Sequence, residues 1–377
     1  MDGLKRVGIL VAVAVVALLF SSSFDGSDIL ERAVIIGIGV DKSQSSDNNI
    51  VLTAEVVRPG NGQEQVGLFS KIVSATGATV GEAILELGRK TGKEPSPGQC
   101  GLLVFGESFY RQSDVTDVVD FFSKSSGFRE NSVVCCCEGS AEELFNRSDA
   151  LNGSVSLAIT SVLREQAKKI AVPSNTLLEF ARSQNELSQS GFLNVVSFSP
   201  SQNKDSNQGD EKQGFFLYDR TAIFVSNRFL CDLSSSENDG FAFLNDGVDG
   251  NTMSLLSDDG RKYALRVNGK KVDKSYENGK IEIKISLQVR LARAGTADVG
   301  GPFTVKDNSE IPLNLLDEFK QRVSACVDDF LAKQASANFD VVDLHEQIRQ
   351  KEGTTDKLKG LATAQIPVSV SIFVEEK

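Results

Sequence analysis

A short apolar run close to the amino terminus constrains this chain more than any other feature. Lys5 and Arg6 precede fourteen apolar residues, 7–20, and three serines follow at once. A cationic start followed by a short apolar stretch is typical of an export signal. Because positive charge stays on the cytoplasmic side of a membrane, we expect the rest of the chain to fold outside the cytoplasm.

The length of the run fits two kinds of segment. Fourteen residues are short for a membrane span of about 20 residues, but counting on to Phe24 gives 18. The small residues Ser21 and Ser23 fit a cleaved signal peptide, whereas the extended count fits an uncleaved single-pass anchor. The Lys-Arg flank and the abrupt polar end argue against a buried core helix. We therefore interpret residues 1–25 as a signal or anchor segment, and we favour the anchor.

The composition indicates a soluble globular body that acts by binding. Hydrophobic residues make up 40% of the 377 residues and charged residues 24%, which is ordinary for globular proteins. The net charge of −11 would repel a nucleic acid or an anionic lipid surface. His345 is the single histidine, so triads and metal sites built on histidine are nearly excluded. We expect a binding or scaffolding protein before an enzyme.

The first part of the chain alternates strands and helices. Residues 33–40 are almost continuously apolar, which predicts a strand buried on both faces. A polar loop separates them from an alternating run, 50–57, and the pair is expected to form a hairpin. Thr79 and Glu82 form a capping-box pattern before an amphipathic helix. The predicted elements are strands at 71–74, 101–106 and 132–137 and helices at 79–90 and 114–124.

The rest of the chain predicts an α+β arrangement. The stretch 199–214 contains almost no apolar residue and is expected to be a solvent-exposed loop. Val267-Asn268-Gly269 is a hairpin signal, and the alternating end of the chain predicts a last strand at 366–374. The other predictions are helices at 154–170, 174–182, 234–244, 313–337 and 341–350, and strands at 192–198, 215–218, 222–225, 228–233, 253–256, 262–267, 271–275 and 280–291.

The six cysteines are predicted to be structural. Three of them, Cys135, Cys136 and Cys137, are consecutive in a run with strand character. Neighbouring strand residues point to opposite faces, so Cys135 and Cys137 share a face and cannot converge on a metal with Cys136. We interpret them as small buried hydrophobic residues. Cys100, Cys231 and Cys326 form no CxxC pair either, so a disulfide framework is not expected.

Other chemical motifs are weak. Gly37-x-Gly39 lacks the third glycine and the following helix of a phosphate loop. The aspartates at 246, 249, 258 and 259 do not have the spacing of a calcium loop. His345 lies in a polar helical setting and is predicted to be a surface residue. We therefore predict no catalytic, cofactor-binding or metal-binding residues, and the binding residues are unknown at this stage.

Several stretches resemble the Ger(x)C family, the C subunit of nutrient germinant receptors in spore-forming bacteria. The run Ile-Gly-Ile-Gly-Val-Asp at 36–41 is similar to the family's first strand, and Leu-Val-Phe-Gly-Glu at 103–107 is similar to a later one. The resemblance extends over residues 28–377. Its other segments are 52–59, 75–83, 118–122, 222–233 and the final alternating strand.

The resemblance implies a fold and a role. It implies three mixed α/β domains with antiparallel-rich sheets, at 28–147, 148–246 (with the polar loop 199–214) and 247–377. It further implies a non-enzymatic subunit at the cell membrane or spore inner membrane, outside the cytoplasm, in contact with integral membrane receptor subunits. Family members carry a lipidated cysteine after the signal. Serines stand there in this chain, so the anchor would be the apolar segment itself.

A rival hypothesis is an exported solute-binding or polymer-binding protein, or a hydrolase of the cell envelope. It predicts a deep pocket with convergent polar groups. Paired carboxylates in such a pocket would favour the hydrolase, but no such pair can be assigned from the sequence.

Overall fold

The structure is a computed structural model of the 377-residue chain. It describes residues 31–44, 49–58, 69–124, 127–149, 153–167, 172–200, 213–245, 252–256, 261–278, 280–296, 311, 313–353 and 366–374. The predicted signal or anchor segment at 1–25 and almost all of the predicted loop at 199–214 lie outside these residues.

A large mixed sheet forms the first body of the fold. Its main strands follow the spatial order β11-β10-β9-β6-β5-β1-β2-β3. Neighbours among β1, β5, β6 and β9 are parallel, whereas the outer pairs are antiparallel. The strands are β1 Arg32–Lys42, β2 Ile50–Arg58, β3 Phe69–Gly77, β4 Glu94–Ser96, β5 Leu102–Phe105, β6 Val133–Cys137, β7 Ser148–Asp149, β8 Asn175–Thr176, β9 Ser190–Pro200, β10 Gln213–Val225 and β11 Arg228–Asp232.

Helices cover both faces of this sheet. The apolar residues of β5 and β6 alternate between two hydrophobic clusters, as expected for strands buried on both sides. Helices α1, α2, α3 and α6 contribute to one cluster, and α4 and α5 contribute to the other. Their bounds are α1 Val80–Thr91, α2 Glu107–Gln112, α3 Thr116–Lys124, α4 Ala141–Phe145, α5 Val155–Thr160 (which continues as a π-helical turn, Ser161–Gln166) and α6 Leu177–Asn185.

A second sheet and two helices form the carboxyl-terminal part. The sheet has the order β12-β13-β14-β15, with β15 parallel to β14. Helix α8 buries one stripe, including Phe319, Val327 and Phe330, in a third cluster shared with α7 and with Phe192 and Ile223 of the first sheet. The elements are α7 Ser235–Leu244, β12 Thr252–Leu256, β13 Arg261–Glu277, β14 Lys280–Thr296, α8 Leu313–Ala337, α9 Leu344–Glu352 and β15 Val368–Val374.

The predicted α+β class is confirmed, and one turn prediction is wrong. The signal at Val267-Asn268-Gly269 does not make a hairpin, because β13 runs on through it. Val267 pairs with Val289 and Gly269 pairs with Gln288, so Asn268 forms a bulge against the continuous strand β14. A long neighbouring strand that binds both halves outweighs the local turn preference.

Three other boundaries differ from the predictions. The strands predicted at 215–218 and 222–225 are one strand, β10, with an irregularity between Leu217 and Arg220. Helix α6 begins later than predicted because Thr176 forms a capping box with Glu179. Helix α9 begins at Leu344 because Asp343 adopts a left-handed conformation, with φ at 60°.

The first sheet continues across the predicted domain boundary at residue 147. Strand β9 pairs in parallel with β6 through Cys136 and Val195. The division into 28–147, 148–246 and 247–377 stays a prediction.

Candidate functional site

The two glycines of the Ile-Gly-Ile-Gly-Val-Asp run let helices pack closely on β1. A Cβ atom on Gly39 would lie 2.7 Å from the Cβ of Ala141 and 3.0 Å from the Phe145 ring. A Cβ atom on Gly37 would overlap the hydroxyl of Ser156. The bare backbone at these two positions therefore accommodates α4 and α5.

Two buried carboxylates bind the amino-terminal ends of those same helices. Asp41 is 6% exposed and accepts hydrogen bonds from the N–H groups of Ala141 (2.9 Å) and Glu142 (3.0 Å). Glu55 is 1% exposed and accepts from the Ser156 N–H, also at 2.9 Å. The first N–H groups of a helix have no partner within the helix. Each carboxylate satisfies such groups, which fixes α4 and α5 on the sheet.

Burial of Asp41 makes a prediction for the pH dependence of stability. Desolvation raises the pKa of Asp41 above its ordinary value of 3.8, although hydrogen bonds from Ala141 and Glu142 oppose the change. The folded state therefore binds the proton more tightly than the unfolded chain. The contribution of Asp41 to the free energy of unfolding is therefore largest below pH 3.8, and it decreases as the pH rises through the raised pKa.

Urea unfolding of wild type and Asp41→Asn at a series of pH values tests this dependence. We expect the wild type to lose stability relative to the variant as the pH rises from 3.8. If the difference in free energy of unfolding between the two proteins stayed constant with pH, or changed in the opposite direction, the raised pKa of Asp41 would be contradicted.

The cysteine run lies in the core as predicted. Cys135 and Cys137 belong to the hydrophobic cluster under α4 and α5, and Cys136 belongs to the cluster on the opposite face. All six cysteines are free thiols. Burial raises the pKa of Cys100 to about 12 and raises the pKa values of the three thiols of the run as well. These thiols therefore stay protonated, which makes them poor nucleophiles and poor metal ligands.

Thiol labelling is expected to divide the cysteines into two groups. Cys231 and Cys326 are partly exposed, whereas Cys100 and the run 135–137 are fully buried. Maleimide should therefore modify the first two in the native protein and the other four only after unfolding, as read by mass spectrometry of peptides. Native labelling of the run at the rate of Cys231 would contradict this placement.

An arginine cluster joins α2 to the edge strand β11. Arg111 forms ion pairs with Glu107 (2.9 Å) and Asp232, and its guanidinium lies 4.6 Å from the centre of the Phe229 ring. Glu107 also accepts a hydrogen bond from Gly139 N–H, and this bond contributes most to lowering the pKa of its carboxyl group. The charged groups of this cluster bind each other, so the cluster connects elements of the fold.

A polar cleft of about 650 Å³ lies between the end of α6 and residues 340–350; we call it the junction cleft. The carboxylate of Asp340, which is 2% exposed, accepts hydrogen bonds from the N–H groups of Val342 and His345. Two further carboxylates of the cleft pair locally, Glu186 with Arg182 and Glu346 with Arg349. The acidic groups that line the cleft thus largely stabilise its own walls.

The histidine of the junction cleft differs from its predicted setting. His345 was predicted to lie at the surface, but its side chain is only 21% exposed. The Nδ1 atom lies 3.7 Å from Asp340 and makes no hydrogen bond. The hydrogen bond from the His345 N–H to the buried Asp340 carboxylate holds the first turn of α9 against the protein. Within the described residues, no group of three or more His, Cys, Asp or Glu side chains is placed to bind a metal. The aspartates considered for calcium lie outside those residues.

Comparison with known families covers both halves of the chain. A family model described as the spore germination protein N-terminal domain matches residues 25–198. A second model, described as spore germination B3/GerAC like, C-terminal, matches residues 219–376. The chain belongs to the GerAC-like family of spore germination proteins. The resemblance to the Ger(x)C family is confirmed.

Comparison with solved structures finds the crystal structure of the GerBC protein. It is 16% identical to this spore germination protein, with 90% of this chain and 97% of the GerBC chain covered and a TM-score of 0.48. A search of curated proteins finds no match.

The family match places the glycine and aspartate motif of β1 in the N-terminal family domain. The sequence did not reveal that Thr53 and Glu55, on the alternating strand β2, are both buried. Alternation predicts that such polar residues face solvent, but Glu55 caps α5 and the hydroxyl of Thr53 forms a hydrogen bond with that of Ser74. None of the helices that the structure describes is long and apolar enough to cross a bilayer, and residues 7–20 lie outside the described ranges.

Proposed function

We propose that this chain is the C subunit of a germinant receptor, held on the outer side of the cell membrane or the spore inner membrane. It acts by contact with integral membrane subunits of the same complex and performs no catalysis of its own. The observation that carries the proposal is the match of both germination family domains, at 25–198 and 219–376.

The tether is the amino-terminal apolar run. Residues 7–20 follow Lys5 and Arg6, and no cysteine occurs before Cys100. The three residues that follow the run are serines, at the place where the resemblance would put the lipidated cysteine. A retained apolar segment would replace the lipid as the membrane attachment.

Exposed strand edges and apolar side chains support a role in docking. Strand β15 pairs with β14 on one side only, among the strands described, and its Phe373 is 60% exposed. Leu313 at the start of α8 is 79% exposed, and Phe215 on β10 is 49% exposed. A free strand edge offers backbone donors and acceptors to a partner, and neighbouring apolar side chains add buried area.

The internal use of buried polar groups supports a non-enzymatic role. Asp41 and Glu55 cap helices, and Asp340 holds the turn before α9. The thiols of the cysteine run are fully buried. A catalytic group has to reach its substrate in a suitable protonation state, whereas these groups stabilise the fold.

Membrane fractionation of the full-length chain and of a variant lacking residues 1–23 tests the tether. We expect the full-length chain to stay in the membrane pellet after a high-salt wash and to be digested by protease added outside. The variant should be released into the soluble fraction. Full-length protein in the cytosolic fraction, or protected from external protease, would refute the proposed location.

A second candidate function, binding of an exported solute, is favoured by the junction cleft. Its volume of about 650 Å³ and its polar walls suit a small polar molecule. A solute-binding role predicts that a panel of amino acids and sugars includes at least one that raises the melting temperature. The receptor-subunit role of this chain predicts no such shift.

A further inference from the structure

We propose that a basic cleft where the chain enters the first sheet binds the anionic headgroups of phospholipids. This inference rests on the proposed membrane tether and adds an orientation to it. The cleft, called the entry cleft here, has a volume of about 570 Å³ and lies among β1, β2, β3 and the end of α1. Binding of headgroups in the entry cleft would orient this end of the protein towards the bilayer.

The charge of the entry cleft is opposite to that of the whole chain. Its lining includes four cationic side chains and no carboxylate among the described residues; the cations are Arg32, Lys71, Lys90 and Lys93. The chain as a whole has 51 acidic against 40 basic residues. Salt screens surface charges that lie more than a Debye length away, so the acidic groups elsewhere on the molecule have little effect at the cleft. An anionic membrane is therefore attracted at the cleft, although the whole molecule is acidic.

The lysines of the cleft keep donors for a ligand. Lys90 Nζ donates one hydrogen bond, to the carbonyl oxygen of Ser74 at 2.8 Å, and an ammonium group has three donors. The ammonium groups of Lys71 and Lys93 have no carboxylate partner in the part of the chain that the structure describes. Arg32 lies 4.0 Å from Glu94, a long contact at the rim.

Three lysines elsewhere on the described surface are paired with carboxylates. Lys124 contacts Asp120, Lys271 contacts Asp273 at 2.8 Å, and Lys284 contacts Glu282 at 3.4 Å. Three lysines that converge on one cleft without such partners leave positive charge uncompensated. Phosphate oxygens are the strong acceptors that ammonium groups bind.

The apolar part of the cleft favours a lipid over free phosphate. Val56 and Val73, which are partly buried on the face of the sheet that α1 covers, line it. Leu85 is 66% exposed and lies in an adjoining depression, which Lys93 and Arg89 line together with Glu31 and Glu94. Lysines around exposed apolar side chains match the boundary between headgroups and acyl chains.

The position of the cleft along the chain gives it access to the membrane. The predicted apolar run ends at residue 20, and Arg32 begins β1. Twelve residues span at most about 40 Å when fully extended. Tethering keeps the cleft within that distance of the bilayer, which raises the effective headgroup concentration around it.

A tryptophan reporter tests the inference, because the chain contains no Trp. The full-length Leu85→Trp variant is reconstituted into vesicles of phosphatidylglycerol or phosphatidylcholine brominated near the headgroup. We expect the quenching of tryptophan fluorescence in the anionic vesicles to be at least about five times that in the zwitterionic vesicles. A preference of about fivefold is what the attraction of a single lysine to an anionic surface, about 1 kcal/mol, would produce. The Leu313→Trp reporter on α8 should show no such preference.

Matched charge variants connect the signal to the cleft. Lys71→Gln, Lys90→Gln and Lys93→Gln together should reduce the anionic preference to near one. Lys124→Gln, Lys271→Gln and Lys284→Gln together change the net charge equally and should leave it unaltered. Melting temperatures check that both sets fold. Inorganic phosphate added to the anionic vesicles at matched ionic strength should not release the reporter.

Vesicle flotation separates the possible failures. If the protein floats with vesicles but Leu85→Trp is quenched equally in both lipids, the tether stands and the entry cleft proposal is overturned. Release of the reporter by inorganic phosphate would also overturn it, in favour of a free anion as ligand. If the full-length chain does not float with either lipid, the tether and the inference both fail.

Discussion

Replacing Gly39 by valine is expected to lower the free energy of unfolding by about 3 kcal/mol. The added side chain would meet Ala141 and Phe145 of α4, since even its Cβ atom would lie only 2.7 Å from the Ala141 Cβ. Both residues of α4 are buried, so neither can move into solvent. Helix α4 would have to leave β1, which would also separate its N–H groups from Asp41. Urea unfolding followed by far-ultraviolet circular dichroism measures the loss.

A graded series and a matched glycine make this prediction specific. Gly39→Ala should have a smaller cost than Gly39→Val, of about 1–2 kcal/mol. Gly101 precedes β5, and a Cβ atom there would lie 3.7 Å from its nearest neighbour, Thr160. Gly101→Ala is therefore expected to change stability by less than about 0.5 kcal/mol. Equal effects at the two positions would contradict a close approach of α4 at Gly39.

Asp41→Ala is expected to cost about 3 kcal/mol of folding stability. The substitution removes the carboxylate that accepts hydrogen bonds from Ala141 and Glu142, in a site that is almost inaccessible to water. One buried and one partly buried helix donor would be left without partners, and an unsatisfied buried donor costs about 1–3 kcal/mol. Loss of a desolvated charge offsets part of this cost. The measurement is again the free energy of unfolding, at neutral pH.

An exposed aspartate gives the control for Asp41. Asp117 lies in the first turn of α3, where its side chain faces solvent. Asp117→Ala removes only a favourable interaction with the helix dipole, of about 0.5 kcal/mol. If Asp41→Ala destabilised the chain no more than Asp117→Ala, the buried cap would not stabilise α4.

Elements with a strong local pattern could be predicted from the sequence. Helix α8 has the predicted bounds, 313–337, because its apolar residues recur at helical spacing over many turns. Strand β1 and the two faces of the cysteine run follow from apolar character and strand alternation alone. The family resemblance came from the same short motifs, and the two family domains confirm it.

Features that depend on distant parts of the chain could not be predicted. In the centre of the first sheet, β5 lies beside β1 and β6 lies beside β9, although these strands are far apart in sequence. No local pattern of residues specifies which strands become neighbours. Glu55 on β2 is buried because α5, about a hundred residues later, covers it. The lysines of the entry cleft come from β3, α1 and the turn after α1, and only the folded sheet brings them together.

Affinity purification of the tagged full-length chain from native membranes tests the central claim most directly. The membranes are solubilised in mild detergent, and bound proteins are identified by mass spectrometry against an untagged control. A receptor subunit that acts by protein contact is predicted to retain at least one multi-pass membrane protein in stable stoichiometry. Recovery of the chain without any integral membrane partner, under conditions where it stays folded, would contradict the proposed role.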